Sequence, residues 1–327
     1  MILTKQHYAL PLVVGVDVGG TKIAAALVDA NGVPLRRVRY PTEISSPQAT
    51  LDSIARAVDQ VIEEAGLLPT DIYAVGLGIP GLVDPERGIG IASVNLNWRN
   101  VPVRAELQER LGLPCFIEND VKAAALGEAR YGAGRGLDSL VFLIIGTGIA
   151  ASVVQNQTIL RGSHGIAGEI GHAIIEPDGP LCKCGGRGCF EALASGPAIA
   201  ERAAAKLQAG GSSPLASLPE ITAEDVFEVA AGGDPLALQT IHEVAAYVAF
   251  VVQFLALAYD PQVIVLGGGI SLAGNLFFDP IQKALERQAR ENWVFREMYS
   301  PELVQVTRMG ADIAVIGAAA LAAMPVG

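Results

Sequence analysis

Apolar and polar positions change their period several times along the chain, and each change marks an element. VVGVDVGGTKIAAALVDANGVPLRRVRY (13–40) carries apolar runs broken by a GGT turn and by a second turn at Asn31–Gly32. This pattern predicts three strands. From Pro47 to Gly66 the period lengthens to that of a helix, with Leu51, Ile54, Val58, Val61 and Ile62 on one stripe. IYAVGLGIPG (72–81) reads as a buried strand. After Pro102 a short helix leads to the strand LPCFIEN (113–119), and Asp120 to Ala129 predicts the next helix.

At Ser139 the pattern restarts. SLVFLIIGTGIAASVVQNQ (139–157) is again strand, Gly/Thr turn and strand. We read a weak internal repeat of two α/β halves, each opening with a Gly-rich hairpin, although hairpin turns favour glycine in any fold. Helices are expected near 196–210, 222–231 and 234–259, then a buried strand in VIVLGGGI (263–270) and a small-residue helix in IAVIGAAALAAM (313–324). AGGSSPLASLPE (209–220) reads as a surface loop among helices rather than a domain boundary.

Composition narrows the class. Of 327 residues, 51% are hydrophobic and 17% charged, which excludes a disordered chain and allows two domains. The net charge of −11 argues against nucleic acid as a partner, because phosphate contacts need basic patches. No apolar run is long enough for a membrane span. AAYVAFVVQFLALAY (245–259) comes closest, but Gln253 interrupts it and Asp260–Pro261 ends it. The opening MILTKQHYALPLVVGVDVGG lacks a basic lead and a cleavage site, so no signal peptide is expected. Together with 4 cysteines, this suggests a cytoplasmic protein with reduced thiols.

Candidate chemistry gathers in a few stretches. Asp17, Gly19, Gly20, Thr21 and Lys22 lie in a tight turn between strands. Glycines there let backbone N–H groups approach a phosphate, and Asp17 offers an oxygen to Mg²⁺, directly or through water. Gly146, Thr147 and Gly148 repeat the arrangement, and Gly267 and Gly268 follow a third buried strand. A single Gly turn is weak evidence, but three after apolar strands point to a nucleotide site. Neither GxxxxGK[ST] nor a GxGxxG opening a helix occurs at these turns, which disfavours a P-loop or Rossmann reading.

His172, Cys182, Cys184 and Cys189 have the spacing H-x9-C-x-C-x4-C. Three thiolates and an imidazole form a closed ligand set for structural Zn²⁺. A redox pair is the alternative, opposed by the strain of a CxC disulfide. Glu169 and Glu191 flank these ligands and are either solvated loop charges or carboxylates positioned for a polyhydroxy substrate. Glu118–Asn119–Asp120 falls where a strand gives way to a helix. A carboxylate there can be a cap or a general base aimed into a site. Cys115, alone in an apolar strand, reads as core.

Taken together, VDVGGTK, GLGIPGLVD, NLNW, ENDVKAAALGEARYGAGRG, IIGTGI, GIAGEIGH, CKCGGRGCFE and LGGGI resemble the ROK family of sugar kinases and repressors, and within it the bacterial glucokinases. The resemblance runs from residue 14 to about 270. It implies two ribonuclease-H-like α/β domains of the actin/hexokinase type with a cleft between them and a structural zinc loop. The small domain would be 1–120 completed by a helix at about 311–327, and the large domain 121–310.

By motif, the resemblance implies that Asp120 is the general base for a sugar 6-hydroxyl attacking the γ-phosphate of ATP. Asn119, Glu169, His172 and Glu191 would bind sugar, with Gly81 and Asn95 in the same pocket. Asp17, Gly19, Gly20, Thr21, Lys22, Gly146, Thr147 and Gly148 would form the phosphate loops, and Gly267 and Gly268 the adenosine side. His172 would serve zinc and sugar through different ring nitrogens.

The activity implied is phosphorylation of glucose, with N-acetylglucosamine or N-acetylmannosamine as the rival acceptor and a homodimer or homotetramer as the expected assembly. A ROK repressor that binds sugar without turnover would place a helix-turn-helix segment before the first Gly loop, and only about a dozen residues precede Val14 here. Two positions depart from the family pattern. Lys122 stands where Asn is common, and the second loop continues GTGIAAS in place of GTGIGGG. Lys122 would act on Asp120 only if it faces the site, and Ala150, Ala151 and Ser152 would either narrow the nucleotide side or fill core.

Overall fold

The computed structural model describes residues 11–323. The opening residues in which no signal peptide is expected lie partly outside that range, as does the expected helix beyond residue 323. In chain order the strands β1 (Val13–Val18), β2 (Lys22–Val28) and β3 (Pro34–Pro41) precede α1 (Pro47–Glu64). There follow β4 (Ala74–Ile79), β5 (Leu82–Asp84), β6 (Ile89–Ser93), β7 (Trp98–Val101), α2 (Val103–Leu111), β8 (Cys115–Asn119) and α3 (Asp120–Tyr131). The chain continues through β9 (Ser139–Ile145), β10 (Ile149–Gln155), β11 (Thr158–Ile159), α4 (Phe190–Ala194), α5 (Gly196–Gln208), α6 (Ala223–Ala231) and α7 (Pro235–Tyr259). Its last elements are β12 (Val263–Gly267), α8 (Asn275–Glu291), α9 (Trp293–Met298), β13 (Val304–Val306) and α10 (Ile313–Ala322).

These elements divide into two compact units. One comprises Met1–Ser139, Ser152–Ala167 and Arg308–Gly327, the other Leu140–Ala151 and Gly168–Thr307. The first is built on a five-stranded sheet of order β3-β2-β1-β4-β8, and a second sheet has the order β11-β10-β9-β12-β13. The orders correspond strand for strand. In the first, β1 pairs β2 antiparallel and β4 parallel, and β8 continues the parallel set. In the second, β12 lies parallel to both β9 and β13. The restart at Ser139 is therefore a repeat of topology, two α/β halves of the ribonuclease-H-like type.

Each sheet face of the first unit follows from the period-2 pattern of β1. Val14, Val16 and Val18 point to one side and pack with Leu51, Ile54 and Val58 of α1 in the larger core. Val13 points to the other and packs with Ala26, Ala74, Val315 and Ala319. On that second face Gly15 pairs with Gly76, and the backbone of α10 rests directly on both. A Cβ at either would overlap the carbonyl of Val315 or Ala318. The Ala- and Gly-rich sequence of α10 permits this approach, and the same small residues let it pack on α3 at Ala123, Gly127 and Gly317.

In the second unit the 25-residue α7 is the central helix, with Val244, Val248, Val251, Val252 and Leu255 buried. By length and composition α7 could cross a membrane, but half of its most apolar window is already buried inside the protein.

Candidate active site

In the first unit, three parallel strands end together. The register sets Asp17 of β1 beside Gly78 of β4, and Gly78 beside Glu118 of β8. The chain then turns directly from β8 into α3, whose N-cap is Asn119 and whose first residue is Asp120. The Asn119 side chain accepts the Lys122 N–H at 3.2 Å. Asp120 Oδ1 accepts from the Val121 N–H and from Asn119 Nδ2, each at 2.9 Å, and the same Nδ2 donates to the Gly81 carbonyl at 3.1 Å. Asn119, Asp120 and Gly81 thus form one hydrogen-bonded group, with Asp120 at the positive end of a helix.

Gly78 explains how Asp120 reaches the sheet. A Cβ there would lie 3.3 Å from Asp120 Cα, tighter than most side-chain packing allows. The opening leaves Asp17 and Asp120 close enough to interact. Burial pushes the Asp17 carboxyl up to about 6; Asp120 adds to the rise and Lys22 opposes it. The turn after β1 is held by Gly19 N–H donating to the Lys22 carbonyl at 3.0 Å and by Thr42 Oγ1 donating to the Gly19 carbonyl at 2.7 Å. Thr21 and Lys22 are exposed on it. Asn95 stands against this turn, its carbonyl 2.9 Å from where a Gly20 Cβ would be.

Two ion-bearing ties hold the β8–α3 junction to the segment 161–167. The Glu118 carboxylate is 2% exposed, accepts the Asn119 N–H at 2.9 Å and is closed by Arg161 at 2.7 Å. Lys122 is 5% exposed and its Nζ donates to the Gly165 carbonyl at 2.6 Å. Lys122 is therefore a buried structural cation rather than a solvent-side charge. No pattern around residues 118 or 161 marks this pairing in the sequence.

In the second unit the cysteine-rich loop folds into a small knuckle. Cys182 N–H donates to the Gly186 carbonyl at 2.8 Å, and Gly185 N–H donates back to the Cys182 carbonyl at 2.9 Å. Gly185, at φ +94°, makes that reversal possible. Cys189 then leads into α4, whose Phe190 is fully buried.

The knuckle brings one ring nitrogen of His172 and the sulfurs of Cys182, Cys184 and Cys189 within 4.8 Å of one another. Cys182 Sγ lies 3.8 Å from His172 Nδ1, and Cys184 Sγ lies 3.6 Å from Cys189 Sγ. Tetrahedral ligands with Zn–S near 2.3 Å stand about 3.8 Å apart, so this set fits zinc. The Gly186 backbone N–H, foremost, and the neighbouring thiols lower the Cys184 pKa, whereas burial, foremost, and the same thiols push Cys189 up to about 12, so the fit to a metal rests on the geometry of the four ligands.

Glu191, two residues past Cys189, does not lie free in solvent. Its Oε2 accepts the Ile149 N–H at 3.0 Å, tying the knuckle to the turn between β9 and β10. Glu169 is exposed and precedes the short turn Ile170–His172. In the β9–β10 turn Gly146 N–H donates to the Gly148 carbonyl, and the Gly196 N–H at the start of α5 donates to the Gly146 carbonyl at 2.8 Å. Gly267 lies on Phe142, and Gly268 takes φ +90° against the Ile145 carbonyl.

These elements border a cavity of about 750 Å³ whose walls include Gly146, Thr147, Gly196, Thr222, Phe227 and Gly269. Gly148, Gly267 and Gly268 support the turns without lining it. Ala151 and Ser152, the departures in the second loop, are buried away from its walls and fill the interior. The α5 and α6 residues of the cavity carry no signature in the sequence.

The sequence of residues 13–324 matches the model of the ROK family. The chain belongs to the ROK family. Within that family it is 35% identical over 326 residues to a glucokinase of Streptomyces coelicolor, covering 96% of this chain and 98% of the relative. Among solved structures, the ROK hexokinase of Thermus thermophilus matches with a TM-score of 0.79 at 34% identity, over 95% of this chain and 97% of that one. A ROK family glucokinase of Streptomyces griseus, solved in complex with glucose and AMPPNP, matches with a TM-score of 0.77 at 34% identity, over 94% and 98%. The similarity to glucokinases at 35–36% identity supports a sugar kinase.

Proposed function

We propose that this ROK protein is a cytoplasmic ATP-dependent hexokinase that phosphorylates glucose, with Asp120 as the general base. The observation that carries the reading is the position of Asp120. Its Oδ1 is fixed by Val121 and Asn119 at the carboxyl end of the parallel strands β1, β4 and β8, with the half-buried Asp17 beside it. Ligands of open α/β sheets bind at such strand ends. Asp120 takes the proton of the sugar hydroxyl as that oxygen attacks the γ-phosphate, while Asn119 and Gly81 keep the carboxylate from turning away.

Backbone N–H groups of the Gly19–Gly20 and Gly146–Gly148 turns, with Thr21, Lys22 and Thr147, receive phosphate oxygens. Asp17, half-buried beside a second carboxylate, suits a site that takes up a cation and would hold Mg²⁺, which supplies charge neutralisation of the phosphates. Gly267 and Gly268 shape the adenosine side from behind. Asn95, Asn119, Glu169, His172 and Glu191 are the residues that would recognise sugar hydroxyls.

His172, Cys182, Cys184 and Cys189 would hold zinc in a structural role. Because Nδ1 faces the thiols, Nε2 of His172 is left for the sugar, and the tie from Glu191 to Ile149 sets the second carboxylate.

The deciding experiment is an ADP-release assay with glucose, N-acetylglucosamine, N-acetylmannosamine and fructose. Turnover on glucose with the highest kcat/KM is expected. Preference for an N-acetylated sugar would reassign the acceptor, and no turnover on any of them would overturn the kinase reading.

A further inference from the structure

The cavity of the second unit carries a charge pattern that bears on the phosphoryl donor. Glu201 on α5, Glu220 ahead of α6 and Glu224 in its first turn line it, and no Lys, Arg or His does. Among the described residues none of the three makes an ion pair or a side-chain hydrogen bond, and all three are exposed. They therefore remain as uncompensated negative charge.

The positive character of the site comes instead from backbone. Gly146 and Thr147 lie beside the N-terminus of α5, and the N-terminus of α6, capped by Thr222, is also in the wall. Thr222 Oγ1 is already engaged with Asp225 at 2.7 Å, so its hydroxyl is not available to a ligand as a donor. The remaining wall is apolar. Ile270 and Ala273 face it, and the Phe227 ring is held edge-on by Phe277 with centroids 5.7 Å apart.

We propose that this cavity restricts the donor to nucleotides, and that Glu201, Glu220 and Glu224 exclude inorganic polyphosphate; the proposal rests on the kinase reading above. A polyphosphate chain carries negative charge along its whole length and would run past three carboxylates with no cation to offset them. A nucleoside triphosphate ends in an uncharged group. Its ribose hydroxyls and base amino groups are donors that carboxylates accept, and its flat base suits the wall formed by Phe227 and Ile270. The acidic wall thus separates two donors that share the same reacting phosphate.

Displacement of a fluorescent ATP analogue from the full-length protein tests this without requiring turnover. ATP and adenosine should displace the analogue, whereas tripolyphosphate should bind at least about 100-fold more weakly than ATP at an ionic strength of about 50 mM, where charges on the wall act over their full range. Glu201→Lys, Glu220→Lys and Glu224→Lys combined should strengthen tripolyphosphate at least about ten-fold, with the gain shrinking as salt rises, and should weaken adenosine. The three side chains are exposed and unbonded, so their glutamine versions keep the fold and should give an intermediate result.

Tripolyphosphate equal to ATP on the unaltered protein would overturn the proposal, as would lysine variants that leave the donor ratio unchanged or a failure of adenosine to displace the analogue. If these binding results hold and no sugar is phosphorylated, the kinase reading fails while the assignment of the cavity stands.

Discussion

Lys122 Nζ ends on the backbone carbonyl of Gly165 at 2.6 Å, so a buried ammonium ties the first turn of α3 to the segment 161–167. Lys122→Met keeps the length and apolar stem of the side chain and removes the charged donor. We expect a stability loss of about 1.5–3 kcal/mol, the range for a hydrogen bond to a charged group, read as a lower urea midpoint at unchanged slope. If Lys122 also steadies the neighbouring Asp120, kcat falls while KM for ATP holds. A variant as stable and as active as the parent would show that the tie carries no energy.

Asp120→Asn retains an oxygen that can accept the Val121 N–H and should fold normally. Removal of the base should lower kcat by about 10²–10⁴-fold, with glucose binding still measurable by calorimetry. Near-normal turnover would transfer the base role to another group.

The Asp17 pKa of about 6 has a direct consequence for stability. Its folded value lies above the unfolded value near 3.8, so the folded chain holds the proton more tightly. Stability from this group is fully present below about pH 4 and is lost as the pH rises through 6. Asp17→Asn should therefore exceed the parent in unfolding free energy at pH 7 by about 3 kcal/mol at most, and the advantage should vanish toward pH 4. Urea titrations at the two pH values decide it, and a pH-independent difference would exclude burial of the Asp17 charge as the cause.

Cys184→Ser should lower the zinc content measured by atomic absorption from about one ion per chain, because a tetrahedral site loses one of its four ligands. The melting temperature should drop by at least about 4 °C, the shift that one to two kcal/mol gives at this domain size. Glucose affinity should weaken with it, since His172 is a shared residue. Unchanged zinc content and affinity would remove the knuckle from substrate recognition.

The long periodic elements were legible in the sequence. The helix on the Leu51–Ile62 stripe and the turn from β8 into α3 fall where the pattern puts them, and the restart at Ser139 is a true repeat of sheet order. The meander β5–β7 was not legible, because strands of 3 to 5 residues span too few alternations to establish a period. The spacing of His172, Cys182, Cys184 and Cys189 announced the cluster that the fold gathers. Glu118 and Arg161 had no such signal, since a salt bridge across 43 positions leaves no local trace. The carboxylates of the cavity were hidden for a similar reason: Glu220 sits in a stretch that reads only as a loop.

The close seating of α10 on Gly15 and Gly76 bears on the order of events during synthesis. The sheet that carries Asp17 emerges from the ribosome early together with α3, yet the part of its face at Gly15 and Gly76 lacks a cover until α10 is made, after the whole of the second unit. The second unit can therefore complete its core while the first still waits for its cover. Until then that apolar patch is open to chaperones, and a stalled or truncated chain would lack the helix that makes its first unit a finished domain.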